Sequence, residues 1–151
     1  MMLEVERKAD GKFLESLHNG GLGSKEYHYQ RYKNGKIKYQ AVLEIDQVTE
    51  FNLVDTSFID RLVTYSSSTL QSHMELHIIL EYRVAKPLES LYEEILPLLE
   101  GIIEEPNNDD RKWSHGQLGG SCSVRSLISV LRSKLNTEDF VELKKDFRIF
   151  F

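Results

Sequence analysis

His73, Glu75 and His77 stand two residues apart, each followed by an apolar neighbour. On an extended chain residues at this spacing point the same way, about 6.6 Å apart, so His-x-His on a strand can chelate one transition metal. Glu75 could complete or orient such a site. A zinc centre needs a further protein ligand, and His28, His115 or an acid would have to be brought to it by the fold. The plain alternative is a polar strand face with no ligand, and no cofactor is expected.

A second constellation runs from Gly116 to Arg125, GQLGGSCSVR, into an apolar-periodic segment. Backbone N–H groups at a helix start, with the hydroxyls of Ser121 and Ser123 and the charge of Arg125, suit a phosphate or carboxylate. The segment has no lysine and no preceding strand, so it is not a P-loop. Arg125 lies only three residues after Cys122, which excludes a tyrosine-phosphatase loop. A helix N-terminus favours thiolate, so Cys122 with His115 is a conceivable nucleophile and base. The plain alternatives are a serine-capped glycine loop and a small buried cysteine.

A third group offers binding rather than bond-making. Tyr27, Tyr29, Arg31, Lys33, Lys36 and Lys38 alternate through residues 27–38 and would share one face of a hairpin. Bases interleaved with aromatics can grip phosphates and stack nucleotide bases, or meet an acidic protein surface. The opposite charge gathers at Glu89, Glu93 and Glu94, which an acidic helix would present to a basic partner. Trp113, the single tryptophan, sits in a polar, turn-rich stretch and is a further candidate contact.

These residues need elements to hold them. Residues 73–84, HMELHIILEYRV, alternate with Ile79 as the one exception, and predict a long strand. Asn34-Gly35 between two extended runs predicts a type I′ hairpin over 25–45, with Lys33 opposite Lys36. Its core face would carry His28, Gln30, Tyr32, Ile37, Tyr39, Ala41, Leu43 and Ile45. Residues 1–8 read as a strand and 47–54 as a less regular one. Helices are expected at 12–18, at 55–70 with Asp55 or Thr56 as cap, and from Pro87 to about 105 with a kink at Pro97. Two more follow at 121–135 and 138–145, the last capped by Asn136 or Thr137. Phe58, Ile59, Leu62 and Val63 would line the inner side of the first long helix, and Ile102 that of the acidic one. Residues 105–120 read as irregular. The apolar tail, 147–151, should dock as an edge strand or join a second copy of the chain.

The expected class is α+β, a single domain of 151 residues with a mostly antiparallel sheet and about four helices chiefly on one face. Net charge is −5 but segregated: residues 87–110 hold eight acids and no base, and residues 111–151 hold eight bases and four acids. An acidic total opposes attraction to nucleic acid at distance. No membrane span and no secretory leader are read, and one cysteine points to a cytoplasmic setting. The expected role is a small non-enzymatic protein that holds or inhibits a macromolecule, as an immunity protein or phage inhibitor does, with a protein as the first expected partner. A small enzyme or ligand-binding domain built on residues 73–77 and 113–125 is the alternative, and nucleic-acid binding by the hairpin a further one.

Overall fold

Asn34 and Gly35 take φ of 53° and 73°, the left-handed pair that a type I′ turn requires. In the computed structural model, which describes residues 1–19, 24–74, 88–106, 108–114 and 122–147 (backbone alone for 66–74, 122–123 and 146–147), this turn joins β3 (Gln30–Lys33) to β4 (Lys36–Gln40). Lys33 lies opposite Lys36, Tyr32 opposite Ile37 and Arg31 opposite Lys38. On its other edge β4 pairs antiparallel with β7 (Trp113–Ser114). A second sheet has the order β1 (Met2–Arg7), β2 (Phe13–His18), β5 (Val42–Val48), β6 (Ile102–Ile103). With its helices, the fold is α+β.

The chain clusters into two compact units, each taken by itself. The first comprises Met1–Glu4, Ser16–Glu44 and Glu104–Phe151. Its strand bends at Ala41, whose N–H donates to the Lys112 carbonyl at 2.7 Å and whose carbonyl accepts from the Asn19 N–H at 2.9 Å. These bonds satisfy the backbone where it leaves the hairpin ladder. The unit also holds the short α1 (Ser24–Tyr27), a 3-10 turn at Asp110–Lys112, α4 (Cys122–Lys134) and α5 (Thr137–Phe147). Asn136 caps α5 reciprocally: its Oδ1 accepts from the Asp139 N–H at 2.9 Å and its Nδ2 donates to the Asp139 carboxylate at 2.6 Å.

The second unit comprises Val5–Glu15 and Ile45–Ile103. Thr49 ends β5 by capping α2 (Glu50–Leu53), its hydroxyl accepting from the Asn52 N–H at 3.2 Å. The Asp55 carboxylate then accepts from the Ser57 N–H at 2.7 Å and opens α3 (Thr56–Met74). Pro97 has no N–H to give the carbonyl four residues back. The helical path instead widens to a π turn at Leu91–Ile95, then tightens to a 3-10 turn at Leu96–Leu99 and stops at Glu100 with φ 50°. Leu91, Ile95, Leu96 and Leu99 are buried with Phe58 and Val48. Gly101 has no substitute: a Cβ there would lie 2.5 Å from Ile45 Cγ2 and 2.7 Å from the Asp46 carbonyl oxygen.

Several expectations are corrected. Residues 13–18 form a strand despite the helical spacing of Phe13, Leu14 and Leu17, and the consecutive burial of residues 15–18 shows that it is covered on both faces. Of the run 47–54 only Gln47 and Val48 are strand, as the end of β5, since the Thr49 cap then turns the chain into α2. His73 and Met74 end α3 rather than begin a strand, and 75–84 lie outside the described residues. The acidic helix stops at Leu99 rather than near 105, and Ile102 is an exposed residue of β6. Ile59 and Val63 are exposed, not inward. Residues 110–114 are ordered within the stretch read as irregular. Residues 148–151 lie outside the described residues.

Candidate partner interface

The hairpin is positioned from beneath by Trp113. Its ring is 3% exposed, and the Arg31 guanidinium lies over it at 4.1 Å from the centroid. Cross-strand neighbours share a face, so Gln40, paired with Trp113, puts Arg31, Lys38, Lys33 and Lys36 on the tryptophan's side of the ladder. Asp110 closes this side. Its carboxylate accepts from Arg31 and, at 2.6 Å, from Lys33. The Lys33 hydrogen bond first, then Arg31, hold the Asp110 carboxyl below the usual carboxylate range.

The opposite side of the ladder carries Tyr32 and Ile37, side by side and 76% and 51% exposed. This reverses part of the expected facing. His28, Ala41, Leu43 and Ile45 are buried as expected, but the outer half of the presumed core face meets solvent and Gln40 on the presumed outer face is enclosed. The alternation was read correctly, and β7 with Trp113 decides which side is covered. Trp113 is accordingly removed as a surface contact. Tyr27 is half-buried at the end of α1, and Tyr29, Lys33 and Lys36 are exposed. Glu89, Glu93 and Glu94 are exposed in the second unit, with Glu94 accepting from the Ser90 hydroxyl at 2.9 Å.

Most of the remaining candidates fall where the structure describes no side chain. Glu75, His77, His115 and Ser121 lie outside the described residues. His73 is helical, and Cys122 and Ser123 open α4 with only their backbone described. Arg125 is half-buried on α4. Among the described residues no three His, Cys, Asp or Glu side chains are grouped to hold a metal ion.

Sequence reasoning missed a buried polar chain in the first unit. His18, 1% exposed on β2, has Nδ1 3.3 Å from the Ser129 hydroxyl and Nε2 3.3 Å from the Glu4 carboxylate. Burial would raise the Glu4 carboxyl, but Lys134 at 2.5 Å and His18 hold it below its ordinary value. Burial likewise lowers His18, against the pull of Glu4. A neutral ring beside a carboxylate that only accepts must donate through Nε2, leaving Nδ1 to accept from Ser129. Serine, histidine and acid in line are the parts of a nucleophile relay. Here Ser129 is itself buried on α4, so the chain ties a helix to a strand. His28 is a second enclosed imidazole; its Nδ1–H donates to the Gln40 carbonyl at 2.7 Å, and burial pushes it down to about 4. The alternation of the hairpin already placed His28 on a core face, whereas His18 gave no signal, because an isolated histidine beside a glycine-rich turn reads as surface.

No described helix is long and apolar enough to cross a membrane. No family model matches the sequence, and neither a characterised protein nor a solved structure is significantly similar to it.

Proposed function

We propose that this is a non-enzymatic binding protein that holds a macromolecular partner against the β3–β4 hairpin, in the manner of an immunity protein or a phage-encoded inhibitor acting in the cytoplasm. One observation carries the reading. Tyr32 and Ile37 stand in register at the end of a hydrogen-bonded ladder, both more than half in water. Single exposed apolar residues are ordinary. An aromatic and a β-branched side chain fixed side by side, with their order already set by the turn, are what a binding hot spot needs: large area and little entropy left to lose.

The test is a photo-crosslinking side chain placed at Tyr32 in host cells. A discrete adduct is expected, reduced at least tenfold by Ile37→Asp, and missing when the same side chain replaces Lys144 on α5. Equal adduct patterns from positions 32 and 144 would end this reading. Glu89→Lys with Glu93→Lys examines the other candidate surface and is expected to leave the adduct at 32 unchanged.

A further inference from the structure

We infer that the partner is a protein whose cleft has one apolar wall and one acidic wall, closing on the two sides of the hairpin tip. The inference rests on the hairpin being the contact surface, and it adds the chemistry of what is contacted.

The argument begins with charge. Lys33 faces Lys36 directly across the ladder, and Arg31 faces Lys38. Like charges directly opposite on paired strands destabilise the pair. Asp110 answers Arg31 and Lys33 on β3; among the described residues no acid pairs with Lys36 or Lys38. β7 pairs with β4 at Tyr39 and Gln40 alone, so beside Lys36 and Lys38 the described sheet has an open edge, which these two lysines also keep from pairing with another strand. One side of the tip is thus left with uncompensated positive charge, which an acidic surface neutralises on docking. The other side offers Tyr32 and Ile37, which an apolar wall would cover.

Nucleic acid fits this tip less well. A single-strand groove stacks successive bases on successive aromatic rings, and here the neighbour of Tyr32 is isoleucine. The carboxylate of Asp110 stands among the very cations that phosphates would seek. A chain of net charge −5 also repels a polyanion at distance.

Lys36→Glu gives the decisive variant. It converts a repulsive cross-strand pair into an attractive one, so the thermal midpoint should rise slightly. At the same time the adduct from position 32 should fall at least tenfold, and the wild-type adduct should weaken as NaCl goes from 50 to 500 mM in lysate. Lys36→Arg should retain it. A Lys36→Glu protein that folds and still gives the full adduct overturns the acidic wall, while the hairpin remains the contact surface. An adduct destroyed by nuclease and not by protease overturns the protein partner in favour of nucleic acid. No adduct at position 32 in any variant overturns both the inference and the function on which it rests.

Discussion

The interior of the second unit is mostly apolar, built on Val48, Phe58, Leu91, Ile95 and Leu99, and among the described residues it encloses the amide of Asn52 and one acid, Glu15. The interior of the first unit is shared between apolar residues and polar ones that have partners, among them His18, His28 and Ser129. Glu15 is fully buried, and neither carboxylate oxygen has a hydrogen-bond partner among the described residues. Burial alone pushes its carboxyl up to about 7. Burial pushes His28 the other way, to about 4. A buried acid resists losing its proton and a buried base resists gaining one, so these two groups answer pH with opposite signs.

The largest expected effect separates the two kinds of interior. Leu99 is fully buried. Leu99→Ala removes its methyl groups from a tightly packed aliphatic site and should cost about 4 kcal/mol, read as a lower denaturant midpoint with an unchanged slope. A loss below about 1 kcal/mol would mean that this interior is loosely filled, and the contrast with the first unit would dissolve.

The next effect tests the signs. Glu15 binds a proton more tightly in the folded chain, so stability falls as pH rises from the unfolded value near 4.5 to about 7 and is level above. The whole change is about 3 kcal/mol at most. His28 binds its proton less tightly when folded, so stability falls as pH drops from 6.5 to about 4. Between 4.5 and 6.5 the two slopes oppose each other. Glu15→Gln should therefore stabilise the protein at pH 8 and leave a profile that climbs steadily from acid to neutral. In the wild type the His28 ring resonance should titrate near 4. A His28 midpoint near 6.5 would mean that the ring is solvated, and the opposition between the two buried groups would vanish.

Ser129→Ala asks how a polar interior fails. The cavity is small, but Nδ1 of His18 loses the hydroxyl that serves it. An unmet buried acceptor costs about 1–2 kcal/mol. Because the neutral ring is then less well held, the His18 titration should shift as well, which an NMR titration reads directly. An unchanged midpoint with unchanged stability would show that water replaces the hydroxyl and that the chain from Glu4 to Ser129 is dispensable.

What could be read in advance depended on how local the deciding contact was. Asn34-Gly35 set a turn and a register by the φ values it tolerates, and the register is found. Asp55 and Asn136 cap helices by bonds two or three residues away. Pro97 announces a break because of the N–H it lacks, although not that the break takes the form of a π turn followed by a 3-10 turn. Facing was not legible, because it is settled by residues distant in sequence. Trp113 covers the Arg31 side of a hairpin more than seventy residues earlier. Phe13, Leu14 and Leu17 have helical spacing, and nothing near them reports that β1 and β5 lie on either side of that strand. The candidate contact surface was found as a set of alternating residues with its two sides exchanged in part. The buried Glu15 and His18 were not found, since burial is a property of the fold and not of the residue, while His28 was, through the alternation of the hairpin.

The smallest effect concerns the place where a charged side chain enters the polar unit. Arg31 stacks on Trp113 and also pairs with Asp110, whose carboxylate is half in solvent. Arg31→Met keeps a long stem against the indole and removes the charge. A cation over an aromatic face contributes about 0.5–1 kcal/mol at a partly exposed site, and a solvated ion pair contributes less and is screened by salt. The stacking contribution should dominate, so the loss in Arg31→Met should persist at 0.5 M NaCl, and a double-mutant cycle with Asp110→Asn should show weak coupling. If salt abolishes the loss, the guanidinium is held by Asp110 and Trp113 is only a floor. The cation side of the hairpin would then be positioned by a solvent-facing acid instead of by the enclosed tryptophan, and the first unit would owe less of its order to buried partners than the comparison with the second requires.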